Sequence, residues 1–427
     1  MVFGVSKKKT SRLSSFILII MCLSLFLSAC KNDNSTSDLN SKKESTETSF
    51  MSEKNNVDIN DLTLTAFERS VMTYGDISRT AAVLKKAKNK ETVTIGVIGG
   101  SITSGAMASS VSETSYAALI LKWFKQNYKD TEFKLVNAGI GATDSVYGAF
   151  RVENDLLVSN PDLVIIEFCV NDRGVPQAKE AYEGLVRKIL KHSTAPAVIS
   201  LATTSNEGST WQEEHLDTCL NYGIPFLSFL NAYKVMFEKG LIDKDECYSD
   251  ALHPTDAGHA LLADLVTEFL EYVKGKINST VSDKYVLNLP ITANRYETTV
   301  MYTNADFKPL DANDSEFKST SDSGWLLDKN NPVMKFKVNS VSVLHIAYNK
   351  SINKNAGTID IEVNGIELPE SINSYFENGW GEYMALGMLL DLDKNLDCDI
   401  VITLDTKKNP DATFMIYSIL LGAKEAS

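Results

Sequence analysis

The sequence predicts an α/β domain built on a doubly wound parallel sheet in three layers, followed by an all-β sandwich. Three observations predict it. From about residue 60 to 280 short apolar runs alternate with amphipathic stretches; after about residue 282 the segments alternate in hydrophobicity; and Asn364-Gly365 falls between two of those segments. A chain of 427 residues exceeds the size at which one core keeps growing, so two domains are expected. An apolar share of 44% and a charged share of 23% are ordinary for packed globular domains.

The chain opens with a targeting signal. Lys7, Lys8, Lys9 and Arg12 precede an apolar run from Phe16 to Leu27 that is short for a bilayer span and ends in Leu27-Ser28-Ala29-Cys30. A leucine three before a cysteine, with small residues between, resembles a bacterial lipobox. It implies a signal peptide over 1–29, lipidation at Cys30 and an extracytoplasmic protein held to the membrane by its lipid. Residues 30–59 are rich in Ser, Asn, Lys and Glu and read as a disordered tether. Cleavage would remove four positive charges and no negative ones, taking the formal charge from −13 to −17. Such acidity excludes nucleic acid as a natural partner.

Within 60–280 the strand candidates are Val93 to Ile98, Lys134 to Asn137, Leu163 to Val170, Ala197 to Ala202 and Ile224 to Phe229. Helical spacing falls near 62–87, 115–128, 144–158, 178–192 and 209–221, and a last helix begins beyond Pro254 and runs to about Ile277. Residues 281–427 hold alternating segments at Met334 to Val338, Ser342 to Tyr348, Thr358 to Val363, Asp399 to Leu404 and Thr413 to Leu420, a jelly-roll-like pattern. The shift in composition predicts a separate core for this part. Cys169, Cys219, Cys247 and Cys398 are too irregularly spaced for a disulfide framework or a zinc site, although a Cys219–Cys247 bridge is open.

Four patterns lie at strand ends, where an open α/β sheet places its ligand site. Gly99-Gly100-Ser101 follows the first strand and leaves the serine hydroxyl and N–H unhindered; alone, such a motif is more often a plain turn or a phosphate-binding loop, and no lysine completes the latter here. The second, Asn137-Ala138-Gly139-Ile140-Gly141-Ala142-Thr143, offers backbone N–H groups before a helix capped near Thr143 or Asp144. Asn171 ends the most apolar strand, where its amide is placed either to donate to an oxyanion or to cap the next turn. Asp250-Ala251-Leu252-His253-Pro254 sets a carboxylate three residues from a histidine, the spacing that orients an imidazole as a base.

Together these residues resemble the SGNH hydrolases, or GDSL esterase superfamily, over roughly residues 75 to 275. The resemblance implies a flavodoxin-like fold and a triad of Ser101, Asp250 and His253. It further implies an oxyanion hole of the Ser101 N–H, a backbone N–H at Gly141 or Ala142, and the Asn171 amide. Neither cofactor nor metal is implied. Gly-Gly-Ser in place of Gly-Asp-Ser resembles members acting on decorated carbohydrates, so the implied substrate is an O-acylated, chiefly O-acetylated, carbohydrate. The alternatives are a lipase or thioesterase, and a catalytically silent glycan-binding lipoprotein.

Other candidates are weaker. Arg151 and Asp155 are either pocket residues or a surface i,i+4 pair. His192, His215 and His345 lie outside the patterns, and His259 reads as a helix-packing residue. Trp325, Trp380, Tyr375 and Tyr383 are either a sugar-stacking face or core.

Overall fold

Six strands form the first sheet in the computed structural model, which describes residues 52–277, 286–321 and 323–425. They are β1 (Val71–Thr73), β2 (Val93–Gly99), β3 (Phe133–Gly139), β4 (Leu163–Glu167), β5 (Ala197–Ala202) and β6 (Phe226–Ser228). The order is β1-β6-β5-β4-β2-β3, parallel throughout except that β1 pairs antiparallel to β6. The chain thus winds outward from β2 to β3, then reverses to β4, β5 and β6. That reversal creates a switch point between β2 and β4.

Strand side chains alternate between the two faces, as the pleat requires. Val93, Ile95, Val97, Leu163 and Ile165 meet helices α1 (Ser78–Lys88), α2 (Tyr116–Asn127), α6 (Phe229–Glu238) and α7 (Asp256–Lys276). Ile98, Val164 and Ile166 meet α3 (Ser145–Asp155), α4 (Ala178–Lys191) and α5 (Gln212–Tyr222) on the other face. Side-chain caps start four of these helices: Ser115 for α2, Asp144 for α3, Ser228 for α6 and Thr255 for α7.

The helix expected over 62–87 is three elements: a short helix Ala66–Ser70 capped by Thr65 and Glu68, the edge strand β1, and α1. Gly75 separates them at φ +57°, packed so closely on the Gly223 carbonyl that a side chain could not fit. Within the expected tether, residues 52–55 are bound to the body, with Ser52 N–H on the Leu220 carbonyl and Asn55 N–H on the Met72 carbonyl. The signal peptide, Cys30 and the rest of the tether up to residue 51 lie outside the described residues.

The second sheet is antiparallel: β7 (Thr298–Tyr302), β8 (Gly324–Leu327), β9 (Val333–Lys350), β10 (Thr358–Val363), β11 (Tyr383–Leu404) and β12 (Phe414–Ala423), with short pieces at its margins. Asn364 and Gly365 both take positive φ, the two-residue turn that closes β10 onto Ile366–Glu367. The two segments expected at 334–338 and 342–348 are one strand, β9, and Asp399–Leu404 is the end of the much longer β11. Register shifts near Val338, Val341 and Leu344 interrupt their pairing, and such bulges let long strands bend.

Val341 to Tyr348 is buried without a break because β9 is covered on both faces. Leu344, Ile346 and Tyr348 join Trp325, Phe336 and Phe414 in the β-region's own core, whereas Val343, Ala347, Leu420 and Tyr296 belong to the cluster built around α3, α4 and α5. The expected separate core is therefore only half of the β-region's packing. Buried polar groups stitch the same seam. Arg187 on α4 binds Glu297 at 2.6 Å, Arg295 binds Glu180 and Asp391, and Glu183 accepts from the N–H groups of Ile291 and Thr292. All four described cysteines are free and buried, so no Cys219–Cys247 bridge forms.

Candidate active site

Ser101 stands directly beyond β2, at the switch point, as the first residue of a one-turn helix Ser101–Ser104. At that position a helix leaves the N–H without an intrahelical partner. A Cβ on Gly99 would fall 2.3 Å from the Glu167 carbonyl, and one on Gly100 would fall 2.5 Å from the Asn171 amide oxygen. The turn closes only because both are glycine.

The loop after residue 247 brings His253 to Ser101, with His253 Nε2 and Ser101 Oγ 2.9 Å apart. Asp250 holds that loop. Its Oδ1 accepts the N–H groups of Leu252 and His253, each at 2.8 Å, and its Oδ2 lies 2.7 Å from His253 Nδ1. A proton on Nδ1 donated to Asp250 leaves the Nε2 lone pair facing the serine hydroxyl. Burial alone would raise the Asp250 carboxyl, but the His253 ring and the two N–H donors outweigh it and hold it below the usual range. The serine N–H of residue 249 donates to the His253 carbonyl, Tyr248 bridges to Pro254, and α7 begins immediately beyond.

Asn171 and Gly141 complete the ring around Ser101. The Asn171 amide lies against Gly100, and its buried Oδ1 has no hydrogen-bond partner among the described residues. A Cβ on Gly141 would be 3.9 Å from that of Ser101, which puts the Gly141 backbone beside the serine. Ala142 is at φ +59°, a conformation costly to a side chain, so the turn after Gly141 carries strain. Asp144 then caps α3.

A buried shell fixes these parts, with little local signal in the residues around it. Arg151 neither lines the pocket nor forms only a surface pair. It is fully buried, donates to the carbonyls of Gly99 and Ala138 at the ends of β2 and β3, and also binds Asp155. Glu167, at the end of β4, accepts from the hydroxyls of Thr103 and Thr203, with its carboxyl raised first by burial. His259 accepts the Tyr116 N–H and donates to the Ala106 carbonyl, joining α7 to the loop after Ser101. Its ring is stacked on Tyr116.

His215, outside the four patterns, is buried beside Asp172 and Cys169, and His345 is buried against Tyr296. His192 binds only its neighbour Thr194. Trp325 is core, while Trp380 is 71% exposed and stacked on Tyr383, 5.1 Å between ring centroids. Tyr375 is bonded through its backbone to Asn373.

A five-strand parallel sheet with a serine, a histidine and an aspartate converging at its switch point defines the α/β serine-hydrolase class. The model of the GDSL-like lipase/acylhydrolase family matches residues 97–261. A crystal structure of a two-domain esterase (CEX) active on acetylated mannans is 30% identical, covers 84% of this chain and 99% of its own, and superposes with a TM-score of 0.77. The same esterase co-crystallised with mannopentaose gives 0.76 at the same identity and coverage. No curated protein matches at the same stringency. The chain belongs to the GDSL-like lipase/acylhydrolase family and is a carboxylic ester hydrolase of two-domain architecture.

Proposed function

We propose that this protein is a serine esterase that removes acetyl groups from a polysaccharide, with acetylated mannan as the first substrate to test. The observation that carries the reading is the run of contacts from Asp250 through His253 to Ser101, at 2.7 and 2.9 Å. His253 takes the Ser101 proton as Oγ attacks the acetyl carbonyl. The oxyanion is held by the N–H groups of Ser101 and Gly141 and by Asn171 Nδ2, with the Ala142 N–H adjacent. Collapse expels the sugar hydroxyl, which takes its proton from His253. Water then repeats the sequence and frees acetate, while Asp250 keeps the imidazole oriented and stabilises its cationic form.

The polymer part of the reading rests on two supports. The related esterase, alike over both regions, acts on acetylated mannans. Trp380 also offers an open indole face of the kind on which sugar rings stack. We place the enzyme outside the cytoplasm, anchored through a lipid on Cys30, on the strength of the Leu27-Ser28-Ala29-Cys30 sequence. Acetate release should be measured on acetylated mannan, acetylated xylan and acetylated peptidoglycan. Release from mannan above the others supports the proposal; turnover of small acyl esters with none of the three polymers refutes the polysaccharide assignment.

A further inference from the structure

We propose that Asp172 is a positioning residue that locks the two oxyanion-hole segments together, and that His215 holds Asp172 in place. The proposal rests on the reading of Gly141 and Asn171 as oxyanion donors. Asp172 follows Asn171 directly and is completely buried. Its Oδ1 accepts the Ser145 N–H at 2.8 Å, at the first residue of α3 and four residues beyond Gly141. Its Oδ2 lies 2.7 Å from His215 Nε2. One carboxylate therefore ties the turn carrying Gly141 to the turn carrying Asn171, two segments that come from different strands.

The rest of the network fixes the direction of each bond. The Asp172 oxygen 2.7 Å from His215 Nε2 is an acceptor, so Nε2 carries the imidazole proton and donates to it. That leaves Nδ1 to accept from the Cys169 Sγ–H 3.0 Å away, a thiol that burial keeps protonated. The Tyr182 ring is stacked on His215 at 3.6 Å and 8°, which removes the ring's freedom to flip. Every member is at most 1% exposed, and the serine is already engaged by His253. This second Asp–His pair consequently holds geometry and moves no proton in the reaction.

The test compares Asp172→Asn, His215→Phe and His215→Gln in the full chain, using p-nitrophenyl acetate turnover. Active sites are counted by labelling Ser101 with a p-nitrophenyl phosphonate, so that misfolded protein drops out of the rate. Removal of one oxyanion donor costs roughly 100- to 1,000-fold in kcat, and a displaced donor should cost less. Asp172→Asn and His215→Phe should each lose about 10- to 100-fold in kcat per labelled site with KM within about twofold. His215→Gln keeps an N–H for Asp172 and should stay within about threefold of the parent. If Asp172→Asn does not fold, the two His215 variants decide. A kcat per labelled site within twofold of the parent in His215→Phe overturns the proposal, as does an equal loss in His215→Gln. A parent enzyme that is never labelled on Ser101 overturns the underlying reading of the site instead.

Discussion

Ending the chain at Ile277 should destroy the catalytic region rather than release it as a small active esterase. The cut removes Tyr296, Val343, Ala347 and Leu420 from a cluster they share with Phe150, Tyr182 and Leu185 of the α/β region. Full burial of a large apolar side chain is worth about 1.5–3 kcal/mol, and the face that Tyr296, Val343 and Leu420 cover would be re-exposed by a similar area. The loss is then about 5–9 kcal/mol, against a total stability of about 5–15 kcal/mol for a typical domain. The severed Arg187–Glu297 and Glu180–Arg295 pairs add little, because the side chains left behind regain water. Thermal melting by circular dichroism, size-exclusion chromatography and p-nitrophenyl acetate turnover read the outcome together. A soluble monomer that melts within a few degrees of the full chain, with undiminished turnover, would refute the shared-core reasoning.

Three further outcomes follow from the same contacts. Gly100→Ala should lower kcat more than it raises KM, since the added Cβ would sit 2.5 Å from the Asn171 amide oxygen and push that donor aside; unchanged kcat would show that Asn171 does not serve the reaction. His345 is pushed down to about 4, chiefly by burial. Above pH 6.5 folded and unfolded chains are alike at this group, and below it the unfolded chain takes a proton that the folded one refuses. About 3 kcal/mol of stability should therefore drain away as pH falls from 6.5 to 4. His345→Gln should show a shallower fall in melting temperature over that window, and identical slopes would contradict the assignment. In kcat/KM, acetyl esters should exceed octanoyl esters, because the segment after Ser101 is Ile102-Thr103-Ser104-Gly105-Ala106-Met107-Ala108-Ser109-Ser110, mostly small and polar. A groove for hydrocarbon would gain about 0.8 kcal/mol per buried methylene, so a series rising with chain length would favour a lipase.

The parts that local sequence encodes were legible. Each parallel strand has its own apolar run, and the residues around Ser101 come as short motifs at strand ends, so their positions could be read and their meeting inferred. What depends on distant partners was not. Arg151 and Asp155 show helical spacing, but nothing local announces the carbonyls of Gly99 and Ala138 that Arg151 clamps. His215 looks isolated because Asp172 and Cys169 lie more than 40 residues before it. The edge strand β1 was hidden inside helical spacing over 62–87, since three residues are too few to show a period of two and the break at Gly75 reads as a tolerated glycine. The shared core was masked for a different reason. Ser342 to Tyr348 reads as an alternating strand of a separate sandwich, and nothing local tells that Val343 and Ala347 pack with the cluster around α3, α4 and α5 while Leu344 and Ile346 face the β-region's own core.

The most direct test of the account is to trap the acyl-enzyme. Full-length protein mixed with an activated acetyl ester, quenched in acid within the first turnovers and digested, should yield a peptide carrying one acetyl group on Ser101. Ser101→Ala, folded to the same melting temperature, should carry none and should turn over slower by several orders of magnitude. A Ser101→Ala protein that hydrolyses the ester at near-parent rates, or an acetyl group found on another residue and turned over there, would contradict Ser101 as the nucleophile.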